Sequence, residues 1–105
     1  MITHATTANF SSLLDGSKML VIDLYADWCM PCKFAAPHFE RLSKRYGDDA
    51  VFVKVNVDQE PAIAQALRVQ GVPSFFIIKN KKVVSLIVGA DMGRLEAEIK
   101  KNMAS

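Results

Sequence analysis

The sequence predicts an α/β fold in which a five-stranded mixed central sheet is flanked by four helices, and three observations carry that prediction. Apolar residues alternate between helical and strand spacing in the order βαβαβα, followed by ββα. The run Met19 to Tyr25 is almost continuously apolar, as a central strand covered on both faces must be. Val51 to Val57 alternates strictly, with the four valines on one face and Phe52, Lys54 and Asn56 on the other. With 105 residues, half of them hydrophobic, the chain has apolar material for one compact core and is expected to form a single domain over 1–105.

Each element follows in order. Ile2 to His4 suits a short edge strand, and Thr7 is placed to cap a first helix carrying Phe10, Leu13 and Leu14 on one side, ended by Asp15-Gly16-Ser17. After the second strand, a helix is expected from about Met30 to Tyr46, with Phe39, Leu42 and Tyr46 inward and Pro37 bending it without ending it. Asp58 to Pro61 carries cap and first-turn chemistry for a third helix with Ile63, Ala66 and Leu67 as its stripe. Gly71-Val72-Pro73-Ser74 turns into a strand from Phe75 to Lys79, and Asn80-Lys81 turns that strand into a hairpin partner from Val83 to Val88. Gly89 breaks the strand, and Asp91 caps a last helix facing inward through Leu95, Ile99 and Met103. Strands joined by helices imply parallel crossovers, and only the final hairpin is expected to be antiparallel.

Composition narrows the function. The net charge is +2, from 13 basic and 11 acidic residues, and the longest basic stretch, Lys79 to Lys82 with Asn80 inside it, reads as a polar turn; no nucleic-acid partner is expected. No stretch approaches the length of a membrane span, and Met1 to Thr7 has neither a basic nor an apolar signal region, so a cytoplasmic protein is expected.

The only two cysteines lie in Trp28-Cys29-Met30-Pro31-Cys32-Lys33, directly after the buried second strand. Such a pair serves as a redox dithiol, as half of a metal site, or as two inert thiols. Zinc requires four ligands, and only His4 and His38 are available, neither at finger spacing; both read as surface residues and no metal is expected. A helix starting at the motif puts Cys29 where unpaired N–H groups and the positive dipole end favour a thiolate. Pro31 suits the first turn, where its missing donor costs nothing. Asp23, a carboxylate within a strand buried on both faces, is the anomaly of the chain; desolvation should raise its pKa toward neutrality, making it either a proton acceptor or a paired structural charge.

Taken together, Val21 to Ala26, Trp28-Cys29, Pro31-Cys32-Lys33, Ala36-Pro37, Lys54 to Asp58, Gly71-Val72-Pro73 and Val88-Gly89-Ala90 resemble the thioredoxin family over essentially the whole chain. The resemblance implies a thioredoxin fold and a redox-active center in which Cys29 is the exposed attacking thiol and Cys32 the buried resolving one. It also implies that Asp23 takes the proton from Cys32, that Lys54 lies near Asp23, and that Pro73 is cis, with Val72 offering backbone groups to a substrate. Trp28 would shield the site and, with Met30, Val72, Pro73, Gly89 and Ala90, would form an apolar rim for disulfide-bearing proteins. The implied activity is thiol-disulfide oxidoreductase chemistry that reduces protein disulfides and serves electron transport and cell redox homeostasis. No bound cofactor is expected, and electrons would come from NADPH through a thioredoxin reductase to a monomer. Departures are Met30 in place of Gly, Ser74 in place of Thr, and Tyr25 in place of Trp or Phe. Met30 and Pro31, between the cysteines, with Lys54, are the residues expected to tune the redox potential. A shifted potential would make the protein a disulfide oxidant or isomerase, and a non-catalytic alternative is a redox-controlled binding module.

Overall fold

A computed structural model of the chain describes residues 1–16 and 18–104. The elements run β1 (Ile2–His4), α1 (Phe10–Asp15), β2 (Met19–Tyr25), α2 (Met30–Tyr46), β3 (Ala50–Asn56), α3 (Pro61–Ala66), β4 (Ser74–Lys79), β5 (Lys82–Val88) and α4 (Met92–Met103). The strands form one sheet in the order β1-β3-β2-β4-β5. β1, β3 and β2 are parallel, whereas β4 runs antiparallel to β2 and pairs with β5 as a hairpin.

The antiparallel β4 corrects the expectation of a parallel crossover after β3. After α3 the chain re-enters the sheet at the end where β3 leaves it, with Ser74 opposite Leu24 near the end of β2. That end gathers the last residues of β2 and β3 and the first of β4, and it is where the cysteines lie.

Both sheet faces are covered because strand side chains alternate. On one face Val21, Phe52, Phe75, Ile77 and Ile87 meet Ala35, Phe39 and Leu42 of α2 and Leu95 and Ile99 of α4. Phe39 stands edge-on to Phe52 with centroids 5.4 Å apart and tilts against Phe75 at 5.9 Å. On the opposite face Ile22, Leu24, Val53, Val55, Phe76 and Ile78 are covered by Ile63 of α3 and by Phe10, Leu13 and Leu14 of α1.

The turns show where local chemistry differs from expectation. Thr7 does not cap α1; its N–H and Oγ1–H both donate to Glu60 Oε1, at 3.0 and 3.1 Å. Asn9 is the N-cap, and its side chain instead closes the preceding turn by accepting from Thr6 N–H and donating to the His4 carbonyl. Ser17, expected to help end this helix, lies outside the described residues. The turn before α3 is organised by Asn56, whose Oδ1 accepts from the N–H groups of Asp58 and Gln59 at 2.9 and 3.2 Å. Asp91 caps α4 as expected, accepting from Arg94 N–H at 3.1 Å. Met103, expected inside, sits at the fraying end of that helix and is 38% exposed.

Candidate active site

Helix α2 begins at the cysteine pair because of the chemistry of its first turn. Cys29, with non-helical φ −92° and ψ 110°, is the N-cap, and its Sγ accepts from the Cys32 N–H at 3.2 Å. Pro31 occupies the first turn, where it removes no helical hydrogen bond. Cys29 and Cys32 form a disulfide, with Cα atoms 5.3 Å apart. Ala26 packs against the pair from the preceding loop, with Tyr25, Val57 and Val72 around it.

The expectation of an exposed Cys29 and a buried Cys32 is not met. The two are 4% and 5% exposed. Both belong to one buried cluster with Ala26, against which Tyr25, Val57 and Val72 pack.

Asp23 lies one layer below. It points to the α2 face of the sheet, between its register partners Lys54 on β3 and Phe75 on β4. It is 1% exposed, and its Oδ1 has no hydrogen-bond partner among the described residues. Burial raises its pKa from 3.8 to about 7, against a smaller downward pull from the Lys54 ammonium. Lys54 Nζ rests 4.4 Å from the centroid of the Tyr25 ring, a cation–π contact that holds the charge near Asp23 without an ion pair to it. A groove of about 330 Å³ opens beside Cys32, lined also by Tyr25, Asp27, Lys33, Ala36 and Lys54.

The cis-proline expected from the family resemblance is present at Val72–Pro73. Gly89 N–H donates to the Pro73 carbonyl at 2.8 Å, which ties the end of β5 to the proline loop. Gly89 has φ +95°, a conformation that favours glycine. Val72 packs on the cysteine cluster and Gly89 is tied to the adjoining Pro73, whereas Ala90 packs on the core cluster that contains Leu95 and Ile99 of α4. Trp28, next to Cys29 in the chain, is 70% exposed, and its Nε1–H donates to Asp58 Oδ2 at 2.9 Å.

Three contributors escaped the sequence reading. Asp58 had a cap role in that reading, and nothing local to it signals the tether to Trp28. Tyr25 was visible as the end of the apolar run and as a departure from the family pattern, but not as the partner of Lys54. Phe34, 61% exposed beside Met30 at 69%, had a usable signal: it follows Met30 by four positions, one helical turn. Among the described residues no group of three or more His, Cys, Asp or Glu is placed to hold a metal ion, and no helix is long and apolar enough to cross a membrane.

Comparison with known proteins places this geometry. The family model described as Thioredoxin matches residues 1–104. Thioredoxin-1 of Schizosaccharomyces pombe is 45% identical over 97 residues, covering 92% of this chain and 93% of that one. The structure of Malassezia sympodialis thioredoxin superposes with a TM-score of 0.93 at 35% identity, over 98% of this chain and 91% of that one. Oxidised mitochondrial thioredoxin 3 of Saccharomyces cerevisiae superposes with a TM-score of 0.89 at 40% identity, over 95% and 94%. With its Cys29–Cys32 disulfide at the start of α2, the chain belongs to the thioredoxin family, thiol-disulfide oxidoreductases that reduce protein disulfides through a dithiol/disulfide cycle.

Proposed function

We propose that this chain works as a single-domain, monomeric protein-disulfide reductase in which Cys29 attacks and Cys32 resolves. The observation that carries the division of roles is the position of Cys29 at the N-cap of α2, where its sulfur accepts the Cys32 N–H and faces the positive end of the helix. In the reduced state the Cys29 thiolate attacks a substrate disulfide. The substrate S–S bond breaks, a Cys29–substrate disulfide forms, and the first substrate sulfur leaves as a thiolate. Cys32 then attacks the Cys29 sulfur and expels the second substrate sulfur. Two electrons pass to the substrate and the Cys29–Cys32 disulfide is restored.

Cys32 must lose a proton to attack. Asp23 accepts it, supported by a pKa that burial raises to about 7, close to the pH at which the exchange runs. Lys54 and Tyr25 set how far that pKa rises, and the groove beside Cys32 gives the proton a route to water. Val72, Pro73, Gly89, Trp28 and Met30 receive the substrate chain, with Ala90 supporting the loop from below.

The oxidised protein is re-reduced by NADPH through a thioredoxin reductase, and the protein acts in the cytoplasm. The test is NADPH consumption with a thioredoxin reductase and a disulfide-bonded protein substrate. Turnover that depends on both cysteines supports the reading, and its absence removes it.

A further inference from the structure

Beyond Met30, the outer face of α2 carries features to which the proposed cycle assigns no role. Met30 and Phe34 expose 69% and 61% of their surfaces beside a buried disulfide, and large apolar side chains grouped in this way mark contact surfaces. Arg41 follows Met30 by eleven residues. At about 100° per residue, Met30, Phe34 and Arg41 fall within about 40° of one another and form one stripe. His38 borders it, its ring tilted 42° against that of Phe34 with centroids 5.1 Å apart.

The far end of the stripe is positive. It borders a groove of about 340 Å³ between His38, Arg41 and Arg45 of α2 and Met92, Gly93 and Glu96 at the start of α4. Arg45 is engaged by Glu96 at 2.9 Å, and Lys44 pairs with Glu40. Arg41 has no carboxylate partner among the described residues; its Nη2 donates to His38 Nδ1 at 2.6 Å, which orients the guanidinium and leaves its charge uncompensated.

We propose that Met30, Phe34 and Arg41 form a second recognition subsite for disulfide-bearing protein segments with an apolar residue beside the reacting cysteine and a carboxylate about five residues from it. The occupant follows from charge and length. The stripe begins at the motif and ends on an unpaired cation, and eleven helical residues rise about 17 Å, the span of about five extended residues. The proposal rests on the protein-disulfide reductase reading and adds a choice of substrate to it.

The test uses two single-cysteine peptides, each carrying a thionitrobenzoate mixed disulfide and Leu beside the cysteine. One has Glu and the other Lys five positions away on both sides. The wild-type protein should favour the Glu peptide about three- to fivefold in kcat/KM, the effect of one exposed charge pair, and 0.5 M salt should abolish the preference. Arg41→Glu should reverse it, and Phe34→Ser should remove the advantage of the Glu peptide over a third peptide that carries Ser in place of its Leu. Equal rates for the two peptides, or an unreversed preference in Arg41→Glu, overturns the proposal.

Reduction of bis(2-hydroxyethyl) disulfide by the wild-type protein reports the chemistry separately, because that molecule cannot reach Arg41. If this reaction fails, the reductase reading falls. The subsite is then judged by the affinities of Ser-for-Cys peptides, read from the fluorescence of Trp28, the single tryptophan. A change in sedimentation of Arg41→Glu with no change in peptide preference would assign the stripe to a second copy of the chain and overturn the proposal.

Discussion

Asp23 and Lys54 are direct register partners on β2 and β3, yet the Lys54 ammonium lies over the Tyr25 ring rather than on the carboxylate. The carboxylate keeps a buried, unpartnered Oδ1, and the lysine moderates its pKa from a short distance without forming an ion pair. A direct ion pair would hold Asp23 ionised, and an apolar neighbour would leave it protonated well above neutrality. The arrangement between these extremes leaves a carboxyl that titrates near pH 7.

Stability should carry the mark of that carboxyl. Asp23 has a folded pKa of about 7 against 3.8 for an unperturbed group, so between these values the folded chain keeps a proton that the unfolded chain loses. Its contribution is therefore fully present below pH 4, falls as pH rises toward 7, and is flat above that. The displacement corresponds to about 4 kcal/mol at most. Asp23→Asn should thus match the wild-type oxidised protein at pH 4 and exceed it by about 2–4 kcal/mol at pH 8. Urea unfolding at pH 4, 6 and 8 measures the difference, and a gap that does not widen with pH would contradict the assignment.

Lys54 pulls the Asp23 pKa downward. Lys54→Met should move the Asp23 titration above its present value of about 7, and the pH dependence of mixed-disulfide resolution should move in the same direction. The carboxyl carbon chemical shift of Asp23 follows the first, and single-turnover kinetics the second. A titration that stays in place would mean that the Tyr25 contact already holds the ammonium too far away to act.

The two cysteines should behave differently when replaced. Cys32→Ser leaves a nucleophile with no resolving partner and should accumulate disulfide-linked substrate, visible on non-reducing gels. Cys29→Ser should accumulate little, because Cys32 lies inside the first turn and lacks the N-cap position. Equal trapping by both variants would show that the helix terminus does not separate their roles.

How much of this was legible in the sequence depended on how local each cause is. The continuous apolar run of β2, the alternation of β3, Pro61 at the start of α3 and the Asp91 cap depend on neighbours within a few positions, and they were read correctly. Thr7 was misread because its partner, Glu60, is 53 residues away. The direction of β4 was misread because it is set by pairing with the distant β2, where Ser74 meets Leu24, and not by the helix that precedes it. At the site, the motif and Asp23 were evident. The near-equal burial of Cys29 and Cys32 was not, since Val57 and Val72, which pack on their cluster, come from segments distant in sequence.

Gly89, which follows β5 and bonds to the Pro73 carbonyl, offers a final test. Its φ of +95° disfavours any residue with a Cβ, although a Cβ built there would meet nothing within 4 Å. Gly89→Ala should therefore cost about 1–2 kcal/mol through backbone strain alone, with no steric clash to add to it. Because Gly89 N–H also holds the Pro73 carbonyl at 2.8 Å, the same strain should loosen the loop bearing Val72. KM for protein disulfides should rise more than kcat falls, while bis(2-hydroxyethyl) disulfide, which needs no such loop contact, is reduced at nearly the wild-type rate. An equal loss on both substrates would place the effect of Gly89 on the cysteine pair itself rather than on the loop that receives the substrate chain.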